Sequence, residues 1–116
     1  MKKLLVLFVC LFVTAVSTQA QSYTVFFTGN RLVEQMREYD KYEQGSSKFI
    51  VYGHAMFCGY ITGVCDAMHA KLPDGTIIGQ VVAIVAKYLK EHPELWAKAA
   101  DDLVRQAIIE AFGLTK

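Results

Sequence analysis

Two thiols in this chain have an imidazole one helical turn away: Cys58 follows His54 by four residues, and Cys65 precedes His69 by four. On a helix, i,i+4 pairs share a face, so a neighbouring base could activate either thiol as a nucleophile. The rest of that chemistry is missing. No Gly-rich turn adjoins either cysteine to supply an oxyanion hole, and buried cysteine is a common core residue. Zinc fares no better, because His54, Cys58, Asp66 and His69 cannot all turn toward one ion from a straight helix, and the chain has no CxxC or HExxH. Asp101 and Asp102 read as a solvated helix surface, and Gly75 and Gly79 lack the glycine and lysine pattern of a phosphate loop. No residue pattern in the sequence points to a catalytic residue, a metal ligand or a cofactor.

These residues sit mostly in one stretch, Phe49 to Ala70, whose spacing predicts a single long helix. Read at every fourth residue, it carries a row of small side chains, Ala55, Gly59, Gly63 and Ala67. Beside it run Met56, Tyr60, Val64 and Met68, and then Phe57, Ile61 and Cys65, so only His54, Cys58, Thr62 and Asp66 could tolerate water. Glycine costs up to about 1 kcal/mol in a helix interior, which suggests that Gly59 and Gly63 are compensated by close packing. The expectation is that the small row lies buried beneath a third helix, facing its Gly79, Ala83 and Ala86. Gly59, Tyr60, Gly63, Val64, Ala67 and Tyr88 are then structural core. Cys58 and Cys65, seven residues apart on one helix, would be about 10.5 Å apart along the axis, too far for a disulfide.

Around that centre the chain divides simply. Lys2 and Lys3 precede an apolar run from Leu4 to Val16, then Ser17, Thr18, Gln19 and Ala20, which reads as a secretory signal peptide over residues 1–20 with cleavage near Ala20. The run is too short to span a membrane. Residues 21–116 then form a single domain. Gln21 to Phe27 reads as an extended arm over the core, and Thr28-Gly29-Asn30 starts a first helix of about Asn30 to Lys41. Ser46 or Ser47 would cap the long helix, and Pro73-Asp74-Gly75 would turn the chain after it. Thr76 would cap a third helix in which Ile77, Val81, Ile84, Val85, Tyr88 and Leu89 form the apolar face, ending at His92-Pro93. A last helix would open at Pro93, break near Trp96 and close at Gly113. The predicted fold class is all-α, a small bundle of four to five helices around the central Gly/Ala-rich one.

Charge narrows the partner. The full chain carries a formal +1, with 12 Lys and Arg against 11 acidic residues. Losing Lys2 and Lys3 lowers 12 to 10 and leaves the exported domain near −1. No basic patch speaks for nucleic acid, and nothing favours a membrane after signal cleavage, so the balance favours a protein or small-molecule partner.

From Thr28 to Phe112 the chain resembles the Rap/Tai family of small exported immunity proteins, which protect bacteria from peptidoglycan amidases delivered by type VI secretion. The resembling pieces are Thr28-Gly29-Asn30, Gly59-Tyr60-Ile61-Thr62-Gly63-Val64, Asp66-Ala67, Pro73-Asp74-Gly75, Gly79-Gln80, Lys87-Tyr88-Leu89 and His92-Pro93-Glu94. The resemblance implies an all-helical periplasmic protein, often a homodimer, that is not an enzyme and inhibits a cognate amidase by filling its cleft. It also implies that Met36, Lys71 and Leu114 stand where relatives carry cysteines, leaving Cys58 matched, so Met36 is expected to pack near Cys58 as an apolar filler.

A cleft plug must protrude, which directs attention to the turn of Lys71, Leu72, Pro73, Asp74, Gly75 and Thr76. Pro73 restricts the free chain and lowers the cost of ordering it on binding. Simple turn chemistry would also select these residues, and Tyr42 to Ser47 is a second candidate plug. A different class, a small acid-stress periplasmic chaperone, fits the same size and export. It is separable by whether client protection appears only in acid.

Overall fold

The computed structural model describes residues 24–45 and 51–115. The expected signal peptide, residues 21–23 of the arm, and the caps at Ser46 and Ser47 lie outside the described residues. The fold is all-helical: α1 (Gly29–Glu43), α2 (Val51–Ala67), α3 (Ile78–Glu91), a 3-10 turn (Pro93–Leu95) and α4 (Ala100–Phe112).

α1 forms because Leu32, Val33 and Met36 recur at helical spacing and bury together, while Arg31, Glu34 and Arg37 stay in water. Neither Thr28 nor Ala99, the residues before α1 and α4, offers a side-chain cap. The two helix starts satisfy each other instead. Gly29 N–H donates to the Lys98 carbonyl at 2.8 Å and Ala100 N–H to the Phe27 carbonyl at 2.9 Å, around an antiparallel bridge between Thr28 and Ala99. Two of the backbone donors that a helix N-terminus leaves unpaired are thereby covered. The short tie holds the arm, and Phe27 stacks on Tyr60 with ring centroids 4.7 Å apart.

α2 runs antiparallel to α1, since Glu43 reaches His54 while Tyr39 covers both His54 and Phe57. It buries Gly53, Phe57, Ile61 and Val64, one face at four, four and three. The helix ends in a Schellman motif: Ala70 N–H bonds the Cys65 carbonyl at 3.3 Å and His69 N–H the Asp66 carbonyl at 3.1 Å. His69 takes the left-handed position usually given to glycine, at φ 49°.

α3 buries Val81, Val82, Val85, Ala86, Tyr88 and Leu89, and α4 buries Ala100, Leu103, Val104, Ala107 and Ile108. Gly113 closes α4 in the left-handed region, as expected. His92-Pro93 ends α3, also as expected, but the last helix does not run on from Pro93. The 3-10 turn and Trp96 intervene, and the indole N–H donates to the Leu89 carbonyl at 2.8 Å.

The central expectation about packing is corrected. Ala55, Gly59, Gly63 and Ala67 are exposed, and a Cβ built on Gly59 or Gly63 would meet nothing within 4 Å. On α3, Gly79 and Ala83 are exposed too, and only Ala86 is buried. Of the residues assigned to the core, Val64 and Tyr88 are buried and Tyr60 is half-buried, whereas Gly59, Gly63 and Ala67 are not. The reason is area. Burying a Phe or Ile side chain yields roughly 1.5–3 kcal/mol while a glycine offers almost no apolar surface, so in water Phe57 and Ile61 take the inward face. Close backbone approach occurs elsewhere. A Cβ on Gly53 would collide with Glu38, whose own Cβ would lie 2.6 Å away, and one on Gly29 would lie 2.6 Å from the Trp96 carbonyl oxygen.

Candidate partner-binding surface

Neither Cys58 nor Cys65 is hydrogen-bonded to its neighbouring imidazole among the described residues. His54 lies against Tyr42, with centroids 4.1 Å apart, and against Tyr39 at 5.3 Å, and its Nε2 faces Glu43 Oε1 at 3.3 Å. No hydrogen bond joins it to Cys58 among the described residues. Cys58 sits on the α1 side of α2, where burial and then Glu43 push its thiol pKa up. Burial and then Asp66 do the same to Cys65. Raised values keep both groups as thiols rather than thiolates, which is the opposite of activation. Both cysteines are free, and no grouping of three or more potential metal ligands occurs among the described residues. Met36 is buried in the core, and Cys58 is partly buried against that core.

The sequence-selected turn is the more distinctive surface. Thr76 N–H donates to the Pro73 carbonyl at 3.1 Å, and the Thr76 hydroxyl donates to the same oxygen at 2.7 Å. Gly75 occupies the left-handed position at φ 83°, the requirement of a type II turn. Lys71, Pro73, Asp74 and Gly75 are exposed. Leu72 is half-buried and packs back against the core, so it anchors the turn rather than projecting from it.

Sequence reasoning missed Ile77 and Ile78. Spacing puts Ile77 in register with Val81 and Ile84 on the buried face, yet it is 67% exposed and Ile78 is 62% exposed. The helix begins one residue later than that register needs. Ile77 itself is extended, at φ −105° and ψ 154°, which swings it off the helical face. Thr76 does not cap the helix because Ile77, not Thr76, holds the N-cap position; the Thr76 hydroxyl donates to the Pro73 carbonyl. Two large aliphatic side chains therefore stand in water beside a hydrogen-bonded turn, bordering a cavity of about 230 Å³ lined by Thr62, Cys65, Asp66, Leu72, Thr76, Ile77, Ile78 and Val81. Exposed aliphatics clustered at a rigid turn are suited to a protein partner. The other candidate plug, Tyr42 to Ser47, is described only to Gly45. Its Tyr42 ring is held against His54.

The family model described as Rap1a immunity proteins matches residues 28–113, from the residue that enters α1 to the glycine that closes α4. Neither a curated protein nor a solved structure gives a match.

Proposed function

This chain belongs to the Rap1a immunity protein family, and we propose from that premise that it is exported to the periplasm, where it binds and inhibits a peptidoglycan amidase delivered by type VI secretion, occluding the active-site cleft. Family membership points to neutralising a secreted effector. The observation that supports the surface is the Pro73–Thr76 turn, fixed by two hydrogen bonds and flanked by exposed Ile77 and Ile78. A turn ordered before binding loses little entropy on docking, and Lys71 to Thr76 is the segment we assign to the cleft. Inhibition by occlusion needs no reactive group, consistent with thiols whose pKa values are raised. The charged start and apolar run from Leu4 to Val16 support export.

A homodimer forms part of the same proposal. Val51 continues the row of Ala55, Gly59, Gly63 and Ala67 at four-residue spacing and is 49% exposed. A flat row with no covering side chain lets a second α2 approach closely. The functional test is co-production with the peptidoglycan amidase encoded nearby in the same genome, directed to the periplasm. Rescue from lysis is expected, and lysis at full inhibitor expression would overturn the assignment.

A further inference from the structure

The cavity at the corner of α2 and α3 has walls of one kind and polar groups of another. Leu72, Ile77, Ile78 and Val81 supply aliphatic surface. At about 230 Å³ it is smaller than the ~300–1,000 Å³ of sites that take whole small ligands, which suits a single side chain.

Three of its polar side chains, Thr62, Thr76 and Asp66, present acceptors, and Cys65 adds only a weak thiol donor. The Thr62 hydroxyl spends its proton on the carbonyls of Cys58 and Gly59, each 3.0 Å away. The Thr76 hydroxyl spends its own on the Pro73 carbonyl. Both oxygens are left with lone pairs only. Asp66 completes the set with an exposed carboxylate that makes no ion pair among the described residues. It also stands in the last turn of α2, which carries no basic residue. The end of α2 places partial negative charge there and the start of α3 at Ile78 partial positive charge, so the Asp66 carboxylate decides the sign.

We propose that this slot receives an arginine side chain of the effector, its methylene stem along Leu72, Ile77 and Val81 and its guanidinium on Asp66, with Thr62 and Thr76 accepting further N–H bonds. Arginine is a donor-only group with five N–H bonds in a planar fork and an aliphatic stem, which matches an apolar slot rimmed by acceptors. The proposal rests on the reading that this corner is the effector-binding surface.

The test uses N-acetyl-arginine methylamide as the probe, titrated into the isotope-labelled exported protein while amide resonances are followed. Shifts centred on Cys65, Thr76 and Ile78 are expected. The nearly isosteric but uncharged N-acetyl-citrulline methylamide should bind roughly fivefold more weakly. Asp66→Asn should weaken the arginine response roughly fivefold, the upper end for an exposed ion pair. Ile78→Ala should weaken it without removing the charge dependence. Equal shifts from both probes, an unchanged response in Asp66→Asn, or shifts mapping elsewhere would each overturn the proposal. The probe requires no amidase, so its failure is distinguishable from failure of the co-production experiment.

Discussion

Glycine shows at the residue scale why position outweighs type. Gly53 and Gly63 lie on the same helix ten residues apart, one against Glu38 and the other against open space. Gly53→Ala must push α1 and α2 apart, because the contact includes the Glu38 Cβ rather than only its mobile end, and a loss of about 1–3 kcal/mol is expected. Gly63→Ala meets nothing and removes the helix penalty of glycine, so dilute protein should gain up to about 1 kcal/mol. Urea melts of the two variants should move in opposite directions, and shifts of the same sign would contradict the packing. The sequence shows two glycines in one helical pattern but not which faces a neighbour, since that depends on where the second helix lies.

At the scale of elements, the passage from α3 to α4 depends on Trp96. Its indole N–H reaches the Leu89 carbonyl in the last turn of α3, while Arg37 lies over the ring with its guanidinium carbon 5.7 Å from the centroid. His92 Nδ1 meets Glu94 Oε1 at 3.0 Å, and the Glu94 pKa is lowered by a backbone hydrogen bond and then by His92. A lowered carboxylate contributes stability above the ordinary glutamate range and loses it as pH falls through its own lower value. Trp96→Phe keeps the ring but leaves a helix-terminal carbonyl without its donor, at an expected cost of about 1–2 kcal/mol in urea melts. A change below about half a kcal/mol would show that water replaces the bond freely. The end of α3 was legible because His92-Pro93 cannot continue a helix. The 3-10 turn was legible only as a break, and the Thr28–Ala99 bridge next to the start of α4 joins residues far apart in the chain.

For the whole molecule, the open row of α2 and the α2–α3 corner are separate surfaces with separate consequences. Gly63→Arg places a long charged side chain on the row without disturbing the core, because nothing packs there in one chain. Sedimentation velocity should show the parent protein as a dimer and the variant as a monomer of unchanged helicity. A parent that sediments as a monomer at every concentration would remove the dimer from the proposal. The resemblance carried by short pieces from Thr28 to His92-Pro93-Glu94 was legible because their order survives. It corresponds to the matched span of residues 28–113.

The sequence by itself determined the helices and the ends marked by Pro93, Gly113 and the Pro73-Asp74-Gly75 turn, because those signals act on the local chain, but not the start of α4, which falls at Ala100. It also determined that Cys58 and Cys65 would not bridge each other, since both fall on one helix. Tertiary structure alone decided which face of α2 turned inward. Phe57, Ile61 and the row of glycines and alanines are equally periodic, and only the apolar area available against α1, α3 and α4 separates them. It also decided that Ile77 and Ile78 stand in water. One extended residue at the start of α3 moves a side chain off a face that spacing had assigned to the core.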